Sequence, residues 1–286
     1  MSEFDAWVGR EQRSTDRLDE GLATRWNATF DIDDDTSKAS RILPQGIHFC
    51  LCPPDALTRN LGEDGHPTRD ESKDSFLPPF LMPRRMWASS QIRFVAPLAM
   101  GAVIERVSRI VSIKEKEGSS GRLAFVDVEH ELRANGTKSV IETQTLVYRE
   151  AAEPNAPLSP PELGETDFDP GAWDKVHTHR PDPRLLFRYS ALTFNTHRIH
   201  YDAPYASKVE RYRGLVVHGP LTASLLLQLA ASELGQNHLR HFNFRGVSPA
   251  MAGEKLHCAM RSSEEGFELG AFAEDGRQVM RASASA

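Results

Sequence analysis

Between Asn195 and Asp202 the chain crowds titratable and polar side chains together: Asn195, Thr196, His197, Arg198, His200, Tyr201 and Asp202. Histidine is the side chain whose ordinary pKa lies nearest neutrality, so one imidazole can take a proton from water and give it back within a turnover. Eighteen residues after His200, the run Val217-His218-Gly219-Pro220 puts a glycine amide at the start of an expected helix. Unpaired amides at a helix start carry partial positive charge and stabilise a developing oxyanion. A base beside such an amide suits chemistry in which a proton moves while negative charge builds on an oxygen. Further back, Arg84-Arg85 offers guanidinium forks that could hold a carboxylate or phosphate, although paired surface arginines are as good a reading. His48 and His66 show no partner pattern. The run from Asp31 to Asp35 lacks the distal Glu and the spacing of a calcium loop and reads as a solvated turn.

These groups need a scaffold, and the spacing of apolar residues indicates one. From Pro220 to Leu234 the leucines cover most of a helical circumference, Pro220 suits the first turn and Gly235 a stop, so this helix must be wrapped. Two stretches about 150 residues apart in the chain read alike: Phe94 to Gly101 leads into Val103 to Val111, and Phe244 to Gly253 leads into Leu256 to Met260. Each is followed by a pair of strands around a two-residue turn signal. Asn135-Gly136 joins Leu123–Leu132 to Lys138–Tyr148, and Asp275-Gly276 joins Phe267–Ala273 to Gln278–Ala284. The expected fold is therefore α+β, with antiparallel sheets around one long helix. Residues 1–150 form a first unit without an obvious central helix, because Ala39 to Cys50 is broken by Pro44 and Gly46. Residues 151–183, rich in Pro, Glu and Asp, read as a linker, and 184–286 as the second unit, which carries the chemistry.

Composition narrows the partners. A formal charge of −6 gives no basic footprint for nucleic acid. The charged start of the chain and the Ser and Gln within Leu221–Leu234 argue against export or a membrane span, so a cytosolic location is expected. The three cysteines, Cys50, Cys52 and Cys258, have no finger spacing and read as small buried apolar residues. No metal or redox cofactor is expected, and a homodimer is the expected assembly.

The stretch from Tyr189 to Ala206, followed by His218-Gly219, resembles the hydratase motif of the MaoC-like, (R)-specific enoyl-CoA hydratase and dehydratase superfamily. Phe76 to Ala88, which includes Pro83-Arg84-Arg85-Met86-Trp87, is similar to the first unit of its double-hot-dog subgroup. The resemblance implies a double hot-dog fold and an acyl-CoA substrate, with no separate cofactor. It implies reversible hydration of a short branched or dicarboxylic enoyl-CoA, itaconyl-CoA first and mesaconyl-C4-CoA next. It assigns His200 as the catalytic histidine and Gly219 as the oxyanion glycine, with His197, Arg198, Tyr201, Asp202, His218, Arg84 and Arg85 available for substrate or CoA. The sequence departs from the family pattern in one respect. Asn195 stands where the pattern has Asp, and His197 where it has Asn, and an amide cannot accept a proton as a carboxylate can. Either His200 works largely alone with Asn195 positioning water, or Asp202 or a carboxylate from the first unit substitutes. The rivals are a hot-dog thioesterase, a non-catalytic acyl-CoA-binding module and a dehydratase acting on acyl-carrier-protein substrates.

Overall fold

The computed structural model describes residues 3–33, 42–118 and 121–286. Ten strands make one continuous sheet in the order β1-β3-β4-β5-β2-β7-β10-β9-β8-β6. The first half contributes β1 (Glu11–Arg17), β2 (Arg84–Phe94), β3 (Val103–Gly118), β4 (Gly121–Ala134) and β5 (Thr137–Arg149). The second contributes β6 (Lys175–His179), β7 (His241–Gly246), β8 (Leu256–Ser263), β9 (Gly266–Ala273) and β10 (Gln278–Ser285). The halves meet edge to edge where Ser89–Arg93 of β2 runs antiparallel to His241–Arg245 of β7. This pairing removes one exposed edge from each half.

Both hairpins form where the turn residues require them. Asn135 and Gly136 both take positive φ, 49° and 80°, the pairing demanded by a tight turn whose twist matches its flanking strands. Gly101 and Gly253, at matching places in the two repeats, share φ values of 84° and 87°, so the internal similarity is one of backbone path as well as of letters.

The long helix spans Gly219–Leu234, and every residue from Leu221 to Leu227, with Leu229 and Ala230, is buried. Its side chains join Leu256, Cys258, Leu269 and Ala271 of the second half in a core that also takes in Ile92, Ile104 and Leu132 of the first. A helix apolar on all sides is stable only inside such a wrapping. The first half holds no comparable helix among the described residues. A shorter one, α1 (Glu20–Thr29), is capped by Asp19, whose carboxylate accepts from the Leu22 amide at 2.6 Å, and buries Leu22, Ala23 and Trp26. The three cysteines are free and buried. Ile47–Cys50 forms a short 3-10 turn, while residues 39–41 lie outside the described residues, as do Asp34 and Asp35 of the acidic run. No helix among the described residues is long and apolar enough to cross a membrane.

Two elements stand where the sequence reading has none: β6 falls within residues 151–183, expected as a linker, and a helix, α2 (Pro183–Thr193), begins at its end. Asp182 caps it by accepting from the Arg184 and Leu185 amides at 3.0 Å each, and Pro183 fits the first helical position, where no N–H is needed. The two remaining helices among the described residues are α3 (Ala203–Lys208) and the long one, α4 (Gly219–Leu234).

Candidate active site

Helix α2 ends at Phe194, which adopts φ 50° and turns the chain sharply into the polar stretch. Asn195 then closes a small loop of its own: its side-chain oxygen accepts from the His197 amide at 2.9 Å. The residue standing in the place of a family carboxylate is thus engaged by local backbone. Arg198 fastens the other end. It donates to Asp202 Oδ2 at 2.7 and 3.1 Å and to the Glu63 carbonyl at 3.0 Å, with its guanidinium 4.1 Å above the Tyr205 ring. Asp202 also caps α3 by accepting from the Tyr205 amide, and the Tyr201 hydroxyl donates to the Thr196 carbonyl. Arg198 and Asp202 therefore brace the loop, and Asp202 is committed to those contacts.

His200 is held by a different contact. Its Nδ1 donates to the Val216 carbonyl at 2.7 Å, and because a carbonyl only accepts, this fixes the proton on Nδ1 and leaves an Nε2 lone pair with no hydrogen bond among the described residues. Its ring lies flat on that of His218, with centroids 3.6 Å apart and planes 19° from parallel. His218 is the residue just before α4 and meets the Ser190 hydroxyl at 2.9 Å. The next amide, Gly219, has no hydrogen-bond acceptor among the described residues, and a Cβ at Gly219 would meet open space. The imidazole and the helix start are consequently neighbours. Burial pushes His200 down to about 4 against the Val216 hydrogen bond, and burial with its imidazole neighbours pushes His218 well below the ordinary range. Both are neutral at pH 7, as a base must be.

The first half completes the cluster from far away in the chain. The Asp64 carbonyl accepts from the Arg198 amide at 2.9 Å, and the Gly65 carbonyl accepts from the Thr196 hydroxyl at 2.5 Å. This clamp carries His66 to within 4.2 Å of the His197 ring, which in turn meets His200 edge-on at 5.5 Å. His66 Nδ1 donates to Asp64 Oδ2 at 2.9 Å, which fixes its tautomer as Val216 fixes that of His200. Burial would raise the Asp64 carboxyl, yet its bonds to His66 hold it at about 2. Burial lowers His66 against the pull of Asp64, and His197 falls to about 2 through burial and the facing His66 and His200 rings. Asp64, His66 and His197 also offer donor atoms all within 4.8 Å of one another, a spacing short enough for one metal ion.

Sequence inspection missed Asp64 and His66. The signal available was Gly65, which takes φ 88° and whose Cβ would fall 1.9 Å from the Thr196 carbonyl oxygen. Gly65→Ala is therefore expected to force the two loops apart. It should destabilise the fold by roughly 2 kcal/mol or more, measured by denaturant unfolding, and lower turnover together with stability.

The two arginines expected to act alike do not. Arg84 is engaged: its Nε pairs with Glu210 at 2.5 Å, both side chains nearly buried, and its guanidinium sits over Tyr212. That ion pair corrects the expectation of an open anion site at residue 84, since its charge is already balanced. Arg85 has no ion pair or hydrogen bond among the described residues and borders the cavity beside His66 and His197. That cavity, of about 1710 Å³, is lined from both halves by Asp64, His66, Arg85, His197, His200 and Gly219, among others. Its size exceeds that of ordinary small-ligand pockets and suits a long substrate.

Fold and site together define an enzyme of the double hot-dog, hydro-lyase class. The chain belongs to the hydroxyacyl-thioester dehydratase type 2 family, whose model matches residues 46–252. It is 39% identical over 285 residues, 99% of this chain and 98% of the relative, to the mesaconyl-C(4)-CoA hydratase of Chloroflexus aurantiacus. Among solved structures it resembles a MaoC-like dehydratase from Phytophthora capsici, with a TM-score of 0.72 at 12% identity over 100% of this chain and 97% of that one. It also resembles a Mycobacterium tuberculosis protein described as a double hot-dog fold, with a TM-score of 0.58 at 13% identity over 97% and 95% of the two chains.

Proposed function

We propose that this protein adds water reversibly across the double bond of a short dicarboxylic enoyl-CoA, with mesaconyl-C4-CoA as substrate ahead of itaconyl-CoA. The observation that carries the reading is the pairing of a neutral imidazole, its Nε2 open, with an unengaged amide at the start of α4, both facing one cavity. Mesaconyl-C4-CoA moves ahead because the Chloroflexus relative named for it aligns over nearly the full length of both chains. Its double bond is also conjugated with the thioester, so alkene electrons can flow onto the carbonyl oxygen.

In this scheme the thioester oxygen accepts from the Gly219 amide, which stabilises the charge that arrives there during attack. His200 Nε2 removes a proton from water as the oxygen bonds to the β-carbon. The resulting imidazolium, a strong acid given the low pKa of this site, returns the proton to the α-carbon, so hydroxyl and hydrogen end on adjacent carbons and the enzyme is regenerated. His66, turned by Asp64, accepts a hydrogen bond from the second water hydrogen, which stays on the oxygen as the product hydroxyl. It thereby takes over the holding role that the amide of Asn195, closed on its own loop, leaves vacant. Arg85, which lines the same cavity with no ion pair among the described residues, is available to an anionic part of the thioester. No step needs a metal or redox group.

The test is a panel of enoyl-CoA thioesters mixed with purified protein, following loss of the conjugated-thioester absorbance. Mesaconyl-C4-CoA is expected to give the highest kcat/KM. Turnover of an acyl-carrier-protein thioester in its place would favour the dehydratase rival.

A further inference from the structure

The concave face of a hot-dog sheet normally meets an apolar helix, and in the second half it does. In the first half, no such helix covers it among the described residues, and its middle is polar. Strand register puts six side chains on this inward face. Ser108 of β3 stands opposite His130 of β4, which stands opposite Glu142 of β5. Arg106, Gln144 and Ser90 lie one pleat away, Gln144 directly opposite Ser90 of β2. Apolar residues flank this band on both sides, Ile104, Leu132, Val140 and Ile92 in one core cluster and Ile110, Val126, Val128 and Tyr148 in another. A polar band between two apolar clusters is costly unless something uses it, because buried polar groups without partners destabilise a fold.

Part of the band is satisfied internally. Ser90 donates to Glu142 Oε1 at 2.5 Å and receives from Trp87 Nε1 at 2.9 Å, while His130 meets Ser108 at 2.8 Å and Gln144 at 3.3 Å. The remainder is not. Among the described residues Arg106 has no carboxylate in ion-pair range, gives only a long 3.3 Å hydrogen bond to the Leu51 carbonyl, and leaves its buried Nε without a partner. Both ring nitrogens of His48, which is 4% exposed and stands 3.9 Å from Glu142 Oε2, are likewise unpartnered. Burial raises Glu142 to about 7, which makes a proton available there in place of a repelling charge, and lowers His48 to about 3. An unbalanced cation with a free N–H, a carboxyl able to donate and an unpaired imidazole together match an incoming carboxylate.

The band opens on the same cavity as the histidine cluster. Tyr189 connects them: its ring is 5.1 Å from that of His218, and its hydroxyl lies within electrostatic range of Glu142. We infer that Arg106, with Glu142 and His48, binds the free carboxylate of a dicarboxylic acyl-CoA whose thioester faces His200 and Gly219. This inference rests on the thioester reading of the site and assigns its acyl specificity to the half that carries no catalytic histidine loop.

The test uses saturated thioesters of equal chain length, which bind without reacting. Succinyl-CoA should bind the full-length protein roughly thirtyfold or more tightly than butyryl-CoA, as expected for a desolvated charge-assisted contact, read by calorimetry. Arg106→Gln should erase that difference while leaving butyryl-CoA affinity unchanged, which also shows that the variant is folded. Should Arg106→Gln be insoluble, His48→Leu serves as the second variant, with a smaller loss confined to succinyl-CoA. Equal binding of the two thioesters by the unaltered protein, or a parallel loss of both in the variants, would overturn the inference. Because neither probe is hydrated, a protein that discriminates between them yet hydrates nothing would leave this subsite standing and remove only the proposed reaction.

Discussion

His200→Ala is expected to lower hydration turnover by at least about a hundredfold, the range associated with loss of a general base, with far-UV circular dichroism unchanged. The ring is packed against His218 and hydrogen-bonded to one carbonyl, so its removal leaves the loop's main fastenings through Arg198, Asp202 and Thr196 in place. The pH profile supplies an independent check. With His200 held near 4, the base is already neutral at pH 6, so the acid limb of kcat/KM should appear only as pH drops through that value. An acid limb near the ordinary histidine pKa would instead point to an exposed base elsewhere. His200→Gln, which keeps a polar side chain of similar reach without a usable base, should be nearly as inactive as the alanine variant.

The second large effect concerns a residue of the first half. His66→Ala is expected to reduce kcat by roughly ten- to a hundredfold with little change in KM, because a group that holds water acts on the reaction and not on thioester binding. Asp64→Asn should give a smaller loss of the same type, since an amide can no longer favour the Nδ1–H tautomer as a carboxylate does. Asp64 clamps Arg198 through its backbone carbonyl, which neither variant removes. Unfolding midpoints close to those of the unaltered protein would separate this role from bracing. If kcat is preserved and only stability or KM changes, His66 is structural.

Much of the scaffold could be read from local chemistry. Leucines on every side of Pro220–Leu234 could only mean a wrapped helix, Asn135-Gly136 marked a tight turn because few other pairs tolerate that backbone, and Asp275-Gly276 marked a hairpin that closes through the longer loop 274–277, with only Gly276 at positive φ. His200 stood out because Asn195–Asp202 is denser in functional groups than folding alone requires, and Gly219 because it opens the expected helix, while the role of each came from the family resemblance. Asp64 and His66 were not visible, because the contact that gives them meaning joins Gly65 to Thr196 across 131 residues and depends on how the two halves pair. The band around Arg106 was hidden by a different ambiguity. Alternation along β3, β4 and β5 shows that Arg106, His130 and Glu142 share a face, but period two does not say whether that face looks to solvent or to the interior. The alternating polar residues Asp127, Glu129 and Glu131 on the other face of β4 made an outward reading equally natural. Helix α2 was lost because its first turn falls in a Pro- and Asp-rich segment that also fits a linker, although Asp182-Pro183 is equally a cap and first-turn pair.

The account stands on an imidazole and a helix-start amide serving one conjugated thioester, and product analysis by NMR in deuterated water tests this most directly. Incubation with mesaconyl-C4-CoA should yield a thioester that bears a new hydroxyl on the β-carbon and one deuterium on the α-carbon, with the carbon–sulfur bond intact. Unchanged enoyl thioester, or release of free CoA, would contradict it.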